Sequence, residues 1–254
     1  MDTTVVIAAG AVAGVPGCVL TLLIGLGALA AAVVVSAIGY FFMPLVIICD
    51  IFGCGGGDGG ASVDDDRVAE VFAGDGRDEL NEAAVPAQFL EHVKEAGAEC
   101  DRIGPMVIAA QIQYESQWNQ ELVGLDGEKG LSQLPPDKFD EFGEDDDDND
   151  DTSALDAADS IRAQGRYLCS LSKEIETLAA NNKVKGDHLD LTLAAYDLGL
   201  SAVKQAKGVP ASGGAQSYIY GIRSSFSLYS DAIKLPDGAV YPTISPLPRA
   251  SDSP

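Results

Sequence analysis

The pattern of apolar and polar positions divides the chain into an apolar N-terminal segment, a polar stretch and a helical region. Residues 3–49 carry no ionisable side chain except cysteines and Tyr40. Further along, apolar residues recur with helical spacing, and the alternation typical of strands is hard to find. The sequence therefore predicts an all-α fold with four segments: a membrane segment (1–53), a linker (54–83), a helical domain (84–235) and a Pro-rich tail (236–254).

The N-terminal apolar run is longer than one simple membrane span. As a single helix its 47 residues would extend about 70 Å, against roughly 30 Å of bilayer hydrocarbon. Pro16 and Pro44 interrupt it near its ends, and no polar turn divides it, which favours one span at about residues 18–40 over two linked spans. A cleavable signal peptide is disfavoured because the start of the chain has no basic region. Asp50 likewise disfavours lipidation at Cys54.

Proline and glycine mark the helix boundaries in the domain. One helix is predicted to start at Pro86 and stop at Gly97, and a second to run from Pro105 toward Ser116. Others are predicted at about 155–181, where Leu168, Leu171, Ile175 and Leu178 share a face, and at about 187–198. The last helix carries a stripe typical of a core face, formed by Tyr218, Ile222, Phe226, Tyr229 and Ile233.

Charge and composition exclude several partners. The net charge of −23 repels phosphate backbones, so nucleic-acid binding is not expected. The glycine-rich residues 54–60 are not a phosphate loop, because no Gly-Lys-Ser/Thr follows them. Residues 61–83 are acidic with few large apolar side chains, which predicts a flexible spacer.

The sequence of the domain does not support catalysis by histidine or cysteine. His92 and His188 lie far apart and in no ligand-spaced motif, which disfavours a zinc hydrolase or a Ser-His-Asp triad. Cys100 and Cys169 lack a recognisable nucleophile context. They are interpreted either as one disulfide of an exported domain or as two buried thiols of a cytosolic one. Carboxylates remain as candidate catalytic groups.

Glu115 occupies an unusual position for a surface charge. Ile108, Ile112 and Glu115 share one face of the second predicted helix, so the carboxylate ends an apolar stripe. Partial burial and the negative end of the helix both disfavour the anion and are expected to raise the pKa of Glu115 toward that of a general acid. The alternative is an ordinary glutamate that ends a helix and points to water.

Four segments occur in an order that characterises one enzyme family. They are residues 108–116, ending in Glu115-Ser116; residues 127–133, a Gly-x-x-Gly-Leu-x-Gln loop; residues 193–199, an Ala-Ala-Tyr-Asp-x-Gly segment; and Gly208-Val209-Pro210 followed by Tyr218. From about Cys100 to Arg223 the chain thereby resembles the soluble lytic transglycosylases, a group of lysozyme-like enzymes.

The resemblance implies a lysozyme-like helical fold and a lytic transglycosylase that cleaves the β-1,4 bond between N-acetylmuramic acid and N-acetylglucosamine in peptidoglycan. It implies that Glu115 acts first as acid and then as base, which leaves 1,6-anhydro-muramoyl ends. Ser116 would orient Glu115. The groups implied to position the glycan are Gln133, Tyr196 and Tyr218.

Two residues depart from the family pattern. Asp197 replaces the usual asparagine, so the position keeps an acceptor but loses a donor, and Ser132 stands where methionine is common. These changes concern substrate preference or efficiency more than the reaction type. Asp197 is nevertheless counted among the implied substrate-binding residues.

Two other functions fit the same residues. A muramidase, which hydrolyses the same bond on the same fold, would use a positioned water and a second acid such as Asp197. A weakly catalytic peptidoglycan-binding subunit of a secretion or conjugation system is the other alternative, although the presence of Glu115 argues against a purely structural role.

The resemblance is strongest to a Gram-positive, membrane-anchored subgroup with matching cysteines. It implies a disulfide between Cys100 and Cys169. An oxidised domain that acts on peptidoglycan lies outside the cytoplasm. The expected topology is therefore a single-pass protein of the cell membrane, with its N-terminus inside and its catalytic domain extracytoplasmic.

Residues 144–151 are acidic at every position except Asn149. That subgroup often has a loop here that is similar to calcium-binding loops, so Ca²⁺ is a candidate ligand. The glycine that such loops use for their sharp turn is absent, which favours a solvated acidic loop. No other metal and no cofactor are expected.

Overall fold

The computed structural model describes residues 62–234, all within the unit Asp58–Pro254. The predicted membrane segment, with its span at 18–40, and the predicted Pro-rich tail, residues 236–254, lie outside the described residues. No helix among residues 62–234 is both long and apolar enough to cross a bilayer.

The described residues are mainly α-helical, as predicted. The helices are α1 (Asp65–Ala73), α2 (Leu90–Ala96), α3 (Pro105–Glu115), α4 (Pro136–Phe142), α5 (Ala157–Ala180), α6 (His188–Leu198), α7 (Leu200–Ala206) and α8 (Gly213–Tyr229). A 3-10 turn spans Glu82–Ala84, and two short strands, β1 (Ser62–Val63) and β2 (Ile233–Lys234), pair antiparallel.

The predicted helix boundaries hold with small shifts. Helix α3 starts at Pro105, and Gly97 caps α2, although α2 starts four residues after Pro86. Helix α8 buries the predicted stripe as far as Tyr229. It ends there, so Ile233 belongs to β2, where it pairs with Val63, and not to the helix.

The linker prediction is wrong for residues 62–83. This acidic stretch contains α1, which is capped by Asp64: the side chain of Asp64 accepts a hydrogen bond from the backbone N–H of Arg67. Val71 faces the core and is 1% exposed. The acidic side chains lie on the outer face of the helix or pair with arginines. A segment whose composition is typical of disorder is therefore folded as part of the domain.

Arg223 joins α1 to the body of the domain. Its guanidinium, on α8, donates to the carbonyl oxygens of Phe72 and Gly74 at 2.9 and 2.6 Å. It also forms ion pairs, each at 2.6 Å, with Asp187 and Asp190 at the start of α6. One buried cation thus stabilises the contact between α1, α6 and α8.

Helix α3 lies at the centre of the described domain. It contacts α2, α5 and α8. Residues on all its sides are fully buried, which is the expected pattern for a helix surrounded by others. These include Met106, Val107, Ile108, Ala109, Ala110 and Ile112. A rigid central helix fixes the position of the residue at its end, Glu115.

Helix α5 is the longest of the described helices and carries the predicted buried face. Leu168, Leu171 and Ile175 are buried. Cys169 on this helix is bonded to Cys100, which follows α2, with the two Cα atoms 5.9 Å apart. The disulfide implied by the family resemblance is therefore confirmed, and it ties α5 to the segment that leads into α3.

Candidate active site

Glu115 is the last residue of α3. Ser116 caps the helix, and the next two residues have positive φ values, 51° at Gln117 and 64° at Trp118. Trp118 is 1% exposed, stacks on Phe89 and donates its indole N–H to the hydroxyl of Tyr229. This buried anchor turns the chain sharply after Glu115, so the carboxylate stays at the helix end, partly buried.

The hydroxyl of Tyr218, on α8, donates to Oε1 of Glu115 at 2.5 Å. The oxygen of that hydroxyl accepts a hydrogen bond of 2.7 Å from Nε2 of Gln111, one turn before Glu115 on α3. Tyr218, which the family resemblance implies as a glycan-positioning residue, thus contacts Glu115 directly. Burial, followed by the nearby charge of Glu115, raises the pKa of Tyr218 well above its usual value, so the hydroxyl keeps its proton.

The pKa of Glu115 is raised to about 7, first of all by burial and also by the charges of Asp197 and Glu128. The hydrogen bond from Tyr218 acts in the opposite direction and lowers the pKa of Glu115, because it stabilises the anion. The predicted direction of the shift is confirmed. A carboxyl group that titrates near neutral pH can both give and take a proton, as acid-base catalysis requires.

The Gly-x-x-Gly-Leu-x-Gln loop, residues 127–133, lies near Glu115: the charge of Glu128 in this loop raises the pKa of Glu115. Gly130 has φ 75°, and a Cβ at this position would lie 1.7 Å from the carbonyl oxygen of Ala154, so only glycine fits. The amide of Gln133 donates to the carbonyls of Leu122 and Gly130 at 3.2 and 2.8 Å. These hydrogen bonds stabilise the loop that contains Gln133. The binding of a glycan by Gln133 stays a prediction.

Tyr196 connects α6 to the same loop. Its hydroxyl donates to the carbonyl oxygen of Ser132 at 2.8 Å, and its ring is buried. Burial first, and then the charge of Glu115, raise the pKa of Tyr196 well above its usual value. The next residue, Asp197, is exposed and acts on Glu115 through its charge. Both residues therefore lie in the neighbourhood of Glu115, and their role in binding a glycan stays a prediction.

Ser116 occupies a different position from the one predicted. Its hydroxyl donates to the carbonyl oxygen of Ile112 at 3.2 Å. This bond stabilises the end of α3 and does not reach the carboxylate, so any effect of Ser116 on Glu115 acts through the helix end.

The family model of the transglycosylase SLT domain matches residues 93–219, which is half of the chain. The matched range includes Glu115, Gln133, Tyr196 and Tyr218. This chain belongs to the SLT family.

Solved structures with similar folds include two lytic transglycosylases. The 70 kDa soluble lytic transglycosylase SLT70 from Escherichia coli is 17% identical with a TM-score of 0.41, over 59% of this chain and 26% of that one. An inactive mutant of lytic transglycosylase Slt from Pseudomonas aeruginosa is 18% identical with a TM-score of 0.40, over 63% of this chain and 25% of that one. This chain therefore spans about a quarter of their length. A search of curated protein sequences found no match.

Sequence reasoning missed several polar groups around the acid of this SLT domain. Tyr114 is 44% exposed and packs edge-on against Tyr218, with ring centroids 5.0 Å apart. A Cβ on Gly221 would lie 2.3 Å from the Tyr114 ring, so this glycine makes room for it. Gln111 was missed although it is four residues before Glu115 on the same helix face. Gln164 on α5 carries no sequence signal, because only tertiary packing brings it to Gln111.

The acidic loop of this SLT domain is organised by its own hydrogen bonds. Oxygens of Asp145, Asp147 and Asp159 lie within 4.8 Å of one another. Both oxygens of Asp145 and of Asp159 already accept backbone N–H groups. Asp146 forms a two-point ion pair with Arg166 at 2.6 and 3.0 Å. These contacts are compatible with the predicted solvated loop, and a calcium site at residues 144–151 stays untested.

Proposed function

We propose that this protein is a peptidoglycan lytic transglycosylase that cleaves the bond between N-acetylmuramic acid and N-acetylglucosamine and forms 1,6-anhydro-muramoyl ends. The observation that carries the proposal is Glu115, a partly buried carboxyl group with a pKa of about 7 that accepts a hydrogen bond from Tyr218. It lies within the residues matched by the SLT domain, where the motif resemblance implies the catalytic acid.

In the first step, protonated Glu115 gives its proton to the oxygen that links the two sugars. The bond between that oxygen and the anomeric carbon of the muramoyl residue breaks, and positive charge develops on the sugar ring. The N-acetylglucosamine part leaves as an alcohol. A pKa of about 7 keeps a large fraction of Glu115 protonated at neutral pH, which this step requires.

In the second step, the Glu115 carboxylate takes the proton of the muramoyl 6-hydroxyl, and that oxygen bonds to the anomeric carbon. Glu115 returns to its protonated form, and no water is consumed. Tyr218 supports the transient carboxylate, since its hydroxyl already donates to Oε1 of Glu115. One carboxyl group thus performs both proton transfers.

The remaining site residues would bind the glycan. The loop that contains Gln133 and the α6 segment that contains Tyr196 are joined by the bond from Tyr196 to the Ser132 carbonyl, which fixes the two segments relative to each other. Tyr114 adds an exposed aromatic face beside the acid, a surface on which sugar rings stack well.

The test is digestion of purified peptidoglycan by the full chain, with wild type compared with Glu115→Gln and Glu121→Gln. Both substitutions remove one negative charge from the same part of the chain, but Glu121 is exposed and lies after the helix end. We expect Glu115→Gln to lose activity by at least about a hundredfold and Glu121→Gln to keep it. Equal activity of all three proteins would contradict the proposal.

A muramidase remains the competing reaction, and Asp197 is the observation in its favour. This carboxylate lies near enough to raise the pKa of Glu115 and could activate a water. Asp197→Asn separates the two reactions: a transglycosylase keeps most of its activity, whereas a hydrolase that depends on Asp197 loses it. A folded wild-type domain that binds peptidoglycan without cleavage would instead indicate the binding subunit of a secretion or conjugation system.

We also propose that the SLT domain lies outside the cytoplasm and is anchored in the cell membrane by the N-terminal segment. The bond between Cys100 and Cys169 supports this location, because disulfides persist in oxidising compartments. A membrane-impermeant reagent should modify lysines of the domain, such as exposed Lys173, on intact cells. Modification only after lysis would contradict the topology. Secretion or conjugation machinery stays a candidate partner.

A further inference from the structure

A chain of hydrogen bonds runs from Glu115 into the core of the domain. The hydroxyl of Tyr218 donates to Glu115 at 2.5 Å, and the amide of Gln111 donates to Tyr218 at 2.7 Å. The amide of Gln164 donates to Oε1 of Gln111 at 2.8 Å. The hydroxyl of Ser132 shares its proton between Oε1 of Gln164 at 3.0 Å and the carbonyl oxygen of Ser160 at 2.7 Å. Ser132, Gln164, Gln111 and Tyr218 are here termed the donor chain.

All donors of this chain point in one direction, toward Glu115. A carboxylate only accepts hydrogen bonds, so the Tyr218 hydroxyl must donate to it, and the Tyr218 oxygen then accepts from Gln111. Since Gln111 turns its NH₂ group to Tyr218, its oxygen faces Gln164. The same argument turns the oxygen of Gln164 toward Ser132. Each amide orientation therefore fixes the next.

The donor chain is buried along its whole length. Ser132, Gln164 and Gln111 are 0% exposed, and Tyr218 is 4% exposed. A buried amide without partners destabilises the fold, and apolar side chains would fill this volume without introducing polar groups that need partners. Among the described residues, no buried side-chain nitrogen or oxygen lacks a partner. Two buried glutamines whose amide nitrogen and oxygen atoms are both hydrogen-bonded indicate a role beyond filling space.

We propose that Gln111, Gln164 and Ser132 are positioning residues that hold the Tyr218 hydroxyl as a fixed donor to Glu115, and so control how readily Glu115 gives up its proton. This inference rests on the proposed function for its catalytic meaning, although the effect on Glu115 itself is a property of the folded domain.

The physical reason lies in the freedom of the Tyr218 hydroxyl. When Gln111 donates to its oxygen, the hydroxyl proton points to Glu115 and stabilises the carboxylate. If Gln164 no longer holds Gln111, the Gln111 amide can turn and offer its oxygen to Tyr218. The hydroxyl then divides its proton between two acceptors, the anion loses stabilisation, and the pKa of Glu115 rises.

The other charged or titratable groups that face Glu115 are not part of the donor chain. Asp197 and Glu128 raise the pKa of Glu115 through their charge. Glu115 in turn raises the pKa of Tyr114 and Tyr196, although burial is the larger cause at both. Substitution of Gln164 leaves these groups in place, so a change in the titration of Glu115 would report on the donor chain.

The test compares Gln164→Leu with Gln120→Leu in the full chain. Leucine fills the space of Gln164 but cannot donate to Gln111. Gln120 provides a matched control, because its amide donates to the carbonyl of Leu155 at 2.7 Å and lies outside the donor chain. Ser132→Ala is a milder second variant: it removes a hydroxyl that Gln164 shares with the carbonyl oxygen of Ser160, and it keeps the backbone oxygen bound by Tyr196.

Two readouts are measured for each protein. One is the pH dependence of glycan cleavage, in which activity falls as Glu115 ionises. The other requires no activity. The Tm of each protein is compared, across pH, with the Tm of the same protein carrying Glu115→Gln. The difference between the two Tm values reports the titration of Glu115 in the folded state. If the wild type does not cleave glycans, the proposed function fails, and the second readout still decides on the donor chain.

We expect Gln164→Leu to move both titrations upward by about 0.5–1 pH unit, a three- to tenfold change in the dissociation constant of the Glu115 proton. Ser132→Ala should move them less, and Gln120→Leu not at all. In a Tyr218→Phe background, Gln164→Leu should cause no further shift, because the donor it orients is gone. Unchanged titrations, or an equal shift with and without the Tyr218 hydroxyl, would overturn the proposal.

Discussion

Glu115 is governed by two opposed effects of its immediate surroundings. Burial disfavours its charged form, and the Tyr218 hydroxyl favours it. The result, a pKa of about 7, lies between an ordinary glutamate and a permanently neutral group. This balance suits a residue that must give a proton and then take one within a single turnover.

The pH dependence of activity follows from this balance. Glu115 must be protonated for the first step, and the protonated fraction falls as pH rises past about 7. We therefore expect cleavage at saturating substrate to decline above neutral pH with a slope of one proton. A profile that stays flat to about pH 9, with intact protein, would contradict the role of Glu115 as the acid.

The same residue lowers the stability of the fold at neutral and alkaline pH. Its pKa is higher in the folded protein than in the unfolded chain, so the folded state binds more protons between about pH 4.5 and about pH 7, and stability is lost as pH rises through that window. We expect Glu115→Gln to raise the Tm at about pH 8 and to leave it almost unchanged at about pH 4. A variant that is equally stabilised at both values would show that burial of the charge is not the cause.

At the residue scale, the sequence indicated Glu115 as the candidate acid but not all of the groups around it. The apolar stripe drew attention to Glu115, and the resemblance to the family singled it out. Tyr218 was recognisable from its motif. Gln111 and Gln164 were not, because a buried glutamine has no distinctive pattern. Their contact, 2.8 Å between residues 53 positions apart, exists only after α3 and α5 have packed.

Among the elements, α1 shows how a tertiary contact overrides composition. The stretch is acidic and was predicted to be a spacer, but Arg67 pairs with Glu70, Asp78 and Asp231. Arg223 binds its C-terminal end from a position 149 residues away. Charges so distant in sequence cannot be matched from local pattern alone, and this is why the domain boundary was misplaced.

Arg223 is expected to contribute strongly to the stability of this contact. In Arg223→Leu, the carbonyls of Phe72 and Gly74 and the carboxylates of Asp187 and Asp190 lose their common donor. The carboxylates are partly exposed, so water recovers some of the loss, and we expect a decrease of about 2–3 kcal/mol in the free energy of unfolding. Urea denaturation measures it.

Arg102→Leu is the control for that experiment. Its pair with Glu176 is about half exposed on both sides, and such surface pairs contribute about 0–1 kcal/mol. Proteolysis should also become faster near residues 62–74 in the Arg223 variant only. Equal losses of stability in the two variants would contradict the assigned role of Arg223.

For the whole molecule, the disulfide connects the domain's stability to its compartment. The bond between Cys100 and Cys169 closes a loop with a sequence separation of 69 residues, which restricts the unfolded chain. A loop of this size predicts a stabilisation of up to about 4 kcal/mol. We expect reductant, or Cys100→Ser with Cys169→Ser, to lower the Tm markedly. An unchanged Tm would argue against a role for the bond in stability and weaken the case for an oxidising compartment.

The whole-molecule features also differ in how far they could be predicted. The helical fold, the order of the motifs and the disulfide follow from local pattern and from resemblance to the SLT family, and the described residues confirm them. The membrane anchor and the topology depend on residues outside the described part of the chain, so they stay proposals. The reaction products depend on the path of one water molecule, which no pattern of side chains specifies.

The measurement that tests the central claim most directly is digestion of peptidoglycan by the full chain in ¹⁸O-labelled water, followed by mass spectrometry of the new muramoyl ends. If Glu115 works alone through the 6-hydroxyl, the ends are 1,6-anhydro sugars, one water lighter than reducing ends and free of label. Reducing ends that carry ¹⁸O would show that water is the nucleophile and would contradict the single-acid mechanism.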